Sequence, residues 1–239
     1  MPQLCPKLTT KLESLKALKQ QFDLEIAKAQ SLSHDKPEDL VLVRDIKIKL
    51  ELELKELKEK LAKIDWQEFY QEVFGLKCDF SKVVIPEKRE GFDRLIIMAQ
   101  GLTNKKLFAK TKKLCYPAWE SISYIDGFIS DRTTATPYAF WVRNHQEADE
   151  ELKGLSVKQV KERKIATETL NERLLHGLKY FKETGQHLDI RGYTVCSGSS
   201  LLEGRMPLIH CETDGDGIGI VYYYPLDQEE ESVHREVIV

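Results

Sequence analysis

The chain has 239 residues, of which 41% are hydrophobic and 31% are charged, and its formal net charge is -3. This composition is typical of a folded protein with a strongly charged surface, and the small net charge excludes a chain-wide attraction to nucleic acid or to an anionic membrane. The five cysteines are dispersed and form no Cys-x-x-Cys pair, so neither a disulfide framework nor a zinc site is predicted.

Two sequence tests address membranes and export. No run approaches the roughly 20 apolar residues that a bilayer-spanning helix needs. Residues 1–7 lack the apolar core of a secretory signal. We therefore expect a cytoplasmic protein with no membrane segment.

Two charged segments with regular apolar spacing, 8–32 and 40–64, occupy the first part of the chain. Apolar residues in the second segment recur at steps of three and four, which is the spacing of a packed helix. These are Val43, Ile46, Leu50, Leu54, Leu57, Leu61 and Ile64. The pattern predicts an antiparallel, coiled-coil-like helical hairpin. Ile48 and Leu52 lie away from this seam, so we expect them to form a second apolar strip that the two helices leave uncovered. The strip could dock on the globular domain, on another copy of the chain or on a partner helix.

The expected organisation has three parts. Residues 1–75 form the hairpin arm, whose segment 65–74 is predicted to be a short aromatic helix that anchors the arm. Residues 76–91 form the connection, and residues 92–239 form a mixed α+β globular domain. The fold class expected for the whole chain is therefore α+β.

Local patterns in 92–239 predict short strands and helices in a mixed order. Apolar and aromatic runs predict strands at 95–99, 138–143, 193–196, 206–211 and 218–224. Helical spacing and capping residues predict helices at 104–114 after Thr103, at 147–164 with a break at Gly154, and at 167–184 before Gly185. The pattern around 214–217 predicts a hairpin turn, and residues 237–239 are expected to close a sheet edge.

One candidate for chemistry is a short polar stretch around residue 212. His210, Asp214 and Asp216 lie within seven residues, and carboxylates two positions apart can share a cation. No known metal-site spacing is matched, and we therefore favour a tight turn. The sequence predicts no cofactor.

A second candidate is a cysteine nucleophile. Cys196 or Cys211 could act with an imidazole from His187, His210 or His145, because a thiol needs a positive neighbour to ionise near neutral pH. Buried structural cysteine is the interpretation that we favour. The other histidines, His34, His176 and His234, are expected at the surface or at helix caps.

A third candidate is a basic helix. Lysines occur at 105, 106, 110, 112 and 113 with no acid between Thr103 and Leu114, and two aromatic residues follow. Lys105, Lys106, Lys110 and Lys113 share much of one side, where they could contact nucleic acid or an acidic partner. A solvated helix face explains the same pattern, with Leu107, Phe108 and Leu114 on the buried side.

The sequence favours a non-enzymatic cytoplasmic interaction or assembly protein that uses its hairpin arm. The first alternative is a small enzyme or ligand-binding domain with a site near His210, Asp214 and Asp216. The second is nucleic-acid binding through the helix that carries Lys105 to Lys113.

Overall fold

The computed structural model describes residues 37–115, 118–120, 124–211, 217–224 and 233–239, together with scattered positions between 10 and 24. The chain divides into two compact units, Met1–Ser81 and Lys82–Val239. Helices and antiparallel sheets both occur, so the fold class is α+β as predicted.

The first unit is dominated by helix α1 (Pro37–Phe74), which is 38 residues long. The prediction of a separate helix at 65–74 was wrong, because α1 continues through these residues without a break. No Gly or Pro interrupts the stretch, and the buried Trp66, Phe69 and Tyr70 extend the apolar spacing of the preceding turns. The predicted first helix of the hairpin and the polar residues after it lie mostly outside the described residues.

Helix α1 ends in a tight return of the chain. Gly75 has a φ of 69°, a left-handed conformation that glycine adopts without a steric penalty, and the Leu76 amide bonds the Tyr70 carbonyl at 3.2 Å. Residues 75–81 then fold back on the helix, where Gln67 Nε2 donates to the Cys78 carbonyl at 2.9 Å. The Phe80 ring lies 5.6 Å from the Tyr70 ring and completes an aromatic cluster at this end of α1.

The described residues of the second unit form three small sheets. The first pairs β1 (Arg94–Met98) with β4 (Tyr138–Val142) in antiparallel orientation. The second has the strand order β2-β8-β7-β5, with β2 (Ala118–Glu120), β5 (Tyr193–Val195), β7 (Met206–Cys211) and β8 (Ile218–Tyr223). The third pairs β3 (Ile129–Ser130) with β6 (Ser199–Ser200). Only the β2–β8 pair among these described strands is parallel.

Strands β1, β4, β5, β7 and β8 agree with the sequence predictions. Ile238 bridges Trp141, which confirms that the segment 237–239 closes an edge of β4. Strands β2, β3 and β6 were not predicted. Strands β3 and β6 have only two residues each, too few for an alternating pattern to be visible in a sequence. The predicted turn at 214–217 lies mostly outside the described residues.

The α-helices described in the second unit are α2 (Asn104–Leu114), α3 (Val157–Glu162) and α4 (Leu170–Thr184). Thr103 caps α2, and Gly185, with a φ of 71°, ends α4, both as predicted. The helix predicted over 147–164 was wrong in extent, because only a single turn at 150–152 and the short α3 are helical. The Asp149 amide bonds the carbonyl of His234 instead of starting a helix.

Helix α4 and the end of the chain lie at the centre of the second unit. Residues 172–179 of α4 are all buried, on every side of the helix. The segment 233–239 bonds through its backbone to several elements, including Val195, Glu168 and Trp141. As a result the polar side chains of α4 and of this segment are enclosed within the protein.

Candidate functional site: an exposed helix strip and a buried charge cluster

Helix α1 presents two different apolar faces. Leu54, Leu57 and Leu61 are buried, with exposed fractions of 5–6%. Ile48 and Leu52 lie on the opposite side of the helix, since each residue advances by about 100°, and their exposed fractions are 46% and 55%. We call Ile48 and Leu52 the outer strip. Its exposure agrees with the sequence analysis, and a strip of this kind can bind an apolar surface.

Two ion pairs connect α1 to the segment that precedes it. Lys19 Nζ lies 3.7 Å from Glu51 Oε1, and Lys47 Nζ lies 3.3 Å from Asp23 Oδ1. All four side chains are substantially exposed, so each pair contributes at most about 1 kcal/mol. From the first pair to the second, the residue number on the preceding segment rises by four, from 19 to 23. The residue number on α1 falls by four, from 51 to 47.

The second unit contains a group of charged and polar side chains that are buried, apart from the partly exposed Arg132, and we call this group the buried cluster. Its members are Arg132, Glu168, Glu172, Arg173, His176, Asp189, Thr194 and Arg235. Asp189 is at the centre: Arg173 and Arg235 donate to its two oxygens at 2.6 Å each. The Thr194 hydroxyl adds a hydrogen bond of 2.6 Å. Burial raises the pKa of Asp189, but the two guanidinium groups outweigh burial and bring the pKa to about 2.

Glu172 is held by a second set of partners. Arg132 donates to its two oxygens at 2.7 and 2.6 Å, and the Tyr138 hydroxyl donates at 2.9 Å. The Thr169 amide also donates to Glu172, which completes the capping box at the start of α4. One carboxylate therefore fixes the helix start, a loop arginine and strand β4 together.

Glu168 and His176 form the third part of the cluster. The distance between Glu168 Oε1 and His176 Nδ1 is 2.9 Å, and both side chains are fully buried. Burial raises the pKa of Glu168 to about 7 despite Arg235 and Arg173. Burial and the same two arginines hold the pKa of His176 well below its usual value, so the imidazole is neutral and the contact is a hydrogen bond.

A buried serine and histidine lie close to this cluster. Ser197 Oγ is 3.0 Å from His234 Nδ1, and His234 Nε2 donates to the Leu155 carbonyl at 3.0 Å. In a hydrolase such a serine would need free backbone amides for an oxyanion. Here the Ser197 and Ser199 amides bond Val195 and Cys196 carbonyls, so the arrangement links strands and loops. His176 and His234 were expected at the surface or at helix caps, and this was wrong. Both side chains are fully buried, because α4 and the segment 233–239 lie at the centre of the second unit.

Of the predicted catalytic residues, His210 and Cys211 are neighbours on β7, whereas Cys196 follows β5 and His187 follows α4. Cys196 is fully buried, and burial raises the pKa of its thiol well above the usual value, which is opposite to what a nucleophilic thiolate needs. Cys211 is buried at the end of β7. His210 is half-buried, with Nδ1 at 3.3 Å from the Cys211 carbonyl, and the His187 ring stacks on Phe181 at 4.7 Å. Asp214 and Asp216 lie outside the described residues.

The lysines of α2 are engaged in several contacts. Lys106 Nζ donates to the Gly101 carbonyl at 3.0 Å, and Lys112 pairs with Glu120 at 2.8 Å. Lys105 and Lys113 are exposed, and Lys110 is half-buried. The helix packs through Leu107, Phe108 and Thr111, whereas Leu114 is 39% exposed and does not join the buried side as expected. Cys115, one position further on, is buried in its place.

The sequence analysis missed every charged member of the buried cluster. Glu172, Arg173 and His176 occur on a helix whose leucine spacing predicts a single buried face. Polar residues outside that face are therefore expected to be exposed to solvent. The capping pattern of Thr169 and Glu172 was the available signal. It reports the start of the helix and not its burial.

Comparisons with protein-family models, with curated proteins and with solved structures find no match for the chain. Within the described ranges, no helix combines the length and apolar character needed to cross a membrane. The same residues contain no group of three or more His, Cys, Asp or Glu side chains arranged to hold a metal ion.

Proposed function

We propose that the protein is a non-enzymatic assembly or interaction protein of the cytoplasm, and that its outer strip binds another helix. The observation that carries this proposal is the exposure of Ile48 and Leu52 on the face of α1 opposite its buried leucines. Two large aliphatic side chains one turn apart are the typical anchors of a helix that docks along its length.

The proposal includes an antiparallel hairpin as the arm that carries the strip. Two observations support it: the ion pairs of Lys19 with Glu51 and of Asp23 with Lys47. In antiparallel helices, the residue number of successive contacts rises along one helix and falls along the other, as it does for these two ion pairs. Such an arm would cover the buried face of α1 with its own first segment and leave the outer strip for a partner.

The experiment is cross-linking in living cells with a lysine-reactive reagent, followed by mass spectrometry of full-length protein. Lys49 and Lys55 are exposed and lie beside the outer strip, so both should form links to the bound helix. Replacement of Ile48 and Leu52 by Ser should abolish these links. The matched control replaces Glu53 and Lys60, exposed residues of the same helix outside the strip, by Ser and should leave them unchanged.

The result that would overturn the proposal is equally direct. If Lys49 and Lys55 form no intermolecular links while other exposed lysines do, the strip binds nothing. Links that persist in the Ile48 and Leu52 double variant would place the interaction elsewhere on the chain.

A further inference from the structure

The exposed side of helix α2 is almost entirely basic. The helix contains no acidic residue, and its exposed positions up to residue 113 are Lys105, Lys106, Ala109, Lys112 and Lys113. Each residue of a helix advances by about 100° and rises by about 1.5 Å, so residues seven apart form rows about 10 Å long. Lys105 lies in one row with Lys112, Lys106 lies in a second row with Lys113, and Ala109 lies between the rows. We call these five residues the lysine face.

Most of the charge on the lysine face is not neutralised within the described part of the chain. Lys112 pairs with Glu120 at 2.8 Å. Lys106 Nζ donates to a backbone carbonyl at 3.0 Å, a contact that leaves its positive charge in place. Lys105 and Lys113 form no ion pair with a described residue. Three exposed cations on one short helix therefore attract an anionic partner.

An exposed aromatic ring adjoins the first turn of α2. Asn104 Nδ2 donates to the Ile125 carbonyl at 3.0 Å, and the Lys105 amide donates to Asp126 Oδ1 at 2.9 Å. Tyr124 directly precedes these two contacts in the chain and is 68% exposed. The Asp126 carboxylate binds an amide at the positive end of the helix, so it offsets the charge of the lysine face only in part.

The Tyr124 ring lies against the backbone on one side. A Cβ atom at position 127 would lie 2.5 Å from Tyr124 Cδ1, so only a glycine at this position lets the ring lie where it does. The Gly127 amide also donates to the Tyr124 carbonyl at 3.1 Å. The exposed remainder of the ring can accept a second planar group by stacking.

Cations beside an open aromatic ring suit a partner that carries both phosphates and unpaired bases. Lysines contact phosphates, and an aromatic ring stacks on a base of any kind. An acidic protein would use the lysines alone. A duplex keeps the faces of its bases within its own stack, so it would also leave the ring unused. Lysine is a point charge without the two-pronged geometry that reads a base, so no sequence preference is expected.

We propose that the lysine face and Tyr124 bind single-stranded nucleic acid through the phosphates and bases that RNA and DNA share. Lys105, Lys106 and Lys113 contact phosphates, and Tyr124 stacks on one base. Three phosphate contacts give weak binding whose logarithm falls with the logarithm of salt concentration at a slope of about -2. This surface belongs to the second unit, so the inference goes beyond the proposed function of the outer strip and does not depend on it.

The test is fluorescence anisotropy of the full chain with a labelled strand of about ten uridines, from about 20 to about 200 mM salt. Lys105→Gln/Lys113→Gln should weaken binding more than about tenfold at the lowest salt and make the slope shallower by about 1.4. The matched control is Lys158→Gln/Lys161→Gln, which removes the same charge from exposed positions of the second unit. The control should leave affinity and slope unchanged.

Tyr124→Ala tests the stacking contact separately from charge. It should weaken binding at least about fivefold at every salt concentration without changing the slope, because stacking releases no counterions. Tyr124→Phe keeps the ring and should keep the affinity. A deoxyuridine strand should bind as tightly as the uridine strand, and a duplex of the same length should bind at least about fivefold more weakly.

Three results would overturn the inference. The first is no binding of either strand at about 20 mM salt, and binding of polyglutamate in its place would identify the partner as an acidic protein. The second is an equal loss in the two lysine double variants, which would mean that the lysine face has no special role. The third is an unchanged affinity in Tyr124→Ala. None of these results bears on the cross-links of Lys49 and Lys55, so the proposed function is judged independently.

Discussion

Helices α1 and α4 differ in which kinds of side chain they bury and which they leave exposed to solvent. Helix α1 leaves Ile48 and Leu52 in solvent, whereas α4 encloses Glu172, Arg173 and His176. The difference arises from their neighbours. Helix α4 is surrounded by strands, loops and the C-terminal segment, so even its polar side is covered and each charge needs a partner. The outer strip is therefore a surface that the chain itself leaves uncovered, whereas each buried charge named here already has a partner within the second unit.

Among the substitutions considered, Asp189→Asn is expected to destabilise the buried cluster most. The substitution removes the charge that Arg173 and Arg235 share and leaves two buried guanidinium groups without the carboxylate to which they donate. We expect the free energy of unfolding to fall by about 3 to 5 kcal/mol, measured by urea denaturation at pH 7.

The control for this change is Glu150→Gln, whose side chain is 80% exposed and pairs with Lys153. Its expected effect is below about 1 kcal/mol. A loss for Asp189→Asn as small as that of the control would show that the arginines find other partners, and the cluster would not hold the unit together.

Leu57→Ala and Leu52→Ala compare how much each face of α1 contributes to the free energy of unfolding. Leu57 is buried, so its truncation should lower the free energy of unfolding by about 3 kcal/mol, through lost apolar burial and the cavity that remains. Leu52 is exposed, and its truncation should change the stability of the isolated chain by less than about 0.5 kcal/mol. Both are measured by urea denaturation at a concentration where the chain is monomeric. Equal losses would mean that Leu52 is buried in the free chain.

Glu168→Gln tests the charge balance of the cluster through pH. The pKa of Glu168 is raised from 4.5 to about 7 on folding, so its stabilising contribution is present below pH 4.5 and is lost as the pH rises through 7. Glutamine does not ionise and avoids this loss. Relative to the variant, the wild-type protein should lose up to about 3 kcal/mol of unfolding free energy between pH 4.5 and 8.

Denaturation curves of both proteins at several pH values give this difference directly. The pKa values of His176 and His234 are lowered, so both destabilise the protein as the pH falls below 6.5. His234 does so in the wild type and the variant alike, so comparing the two removes its contribution. His176 contacts Glu168 directly, so the measured difference belongs to the Glu168–His176 pair. Parallel pH profiles would show that Glu168 does not ionise differently on folding.

The smallest expected effect concerns the start of α4. Thr169→Ala removes the hydroxyl that accepts from the Glu172 amide at 3.3 Å and should cost about 1 kcal/mol of unfolding free energy. Thr169→Ser keeps the hydroxyl and should recover most of the loss. If Ser fails to recover it, the packing of the Thr169 methyl group in this buried position matters more than the cap.

The sequence predicted local elements well where the signal is itself local. The strands at 94–98 and 206–211 carry enough residues for their apolar pattern to appear, and the α2 boundaries follow from Thr103 at its start. The prediction of a helix over 147–164 was wrong, although helical spacing is present there. The Asp149 amide donates to the His234 carbonyl of the C-terminal segment instead of forming a helical bond. That competition involves residues more than 80 positions apart and leaves no trace in a local window.

For the candidate sites too, features that depend on nearby residues were predicted and features that depend on distant residues were not. The exposure of Ile48 and Leu52 was predicted, because a second apolar strip on one helix is visible in helical spacing alone. The buried cluster was not predicted, because Glu168, Asp189 and Arg235 lie far apart in sequence and resemble ordinary surface charges.

The sequence by itself determined the α+β class, a helix over 40–64 with two apolar faces, and the caps of α2 and α4, because periodicity and capping depend on residues within a few turns of each other. Only the tertiary structure decided which charges are buried and how they are paired. Arg235 reaches Asp189 because the C-terminal segment lies beside α4, and the low dielectric of that interior makes each pairing necessary.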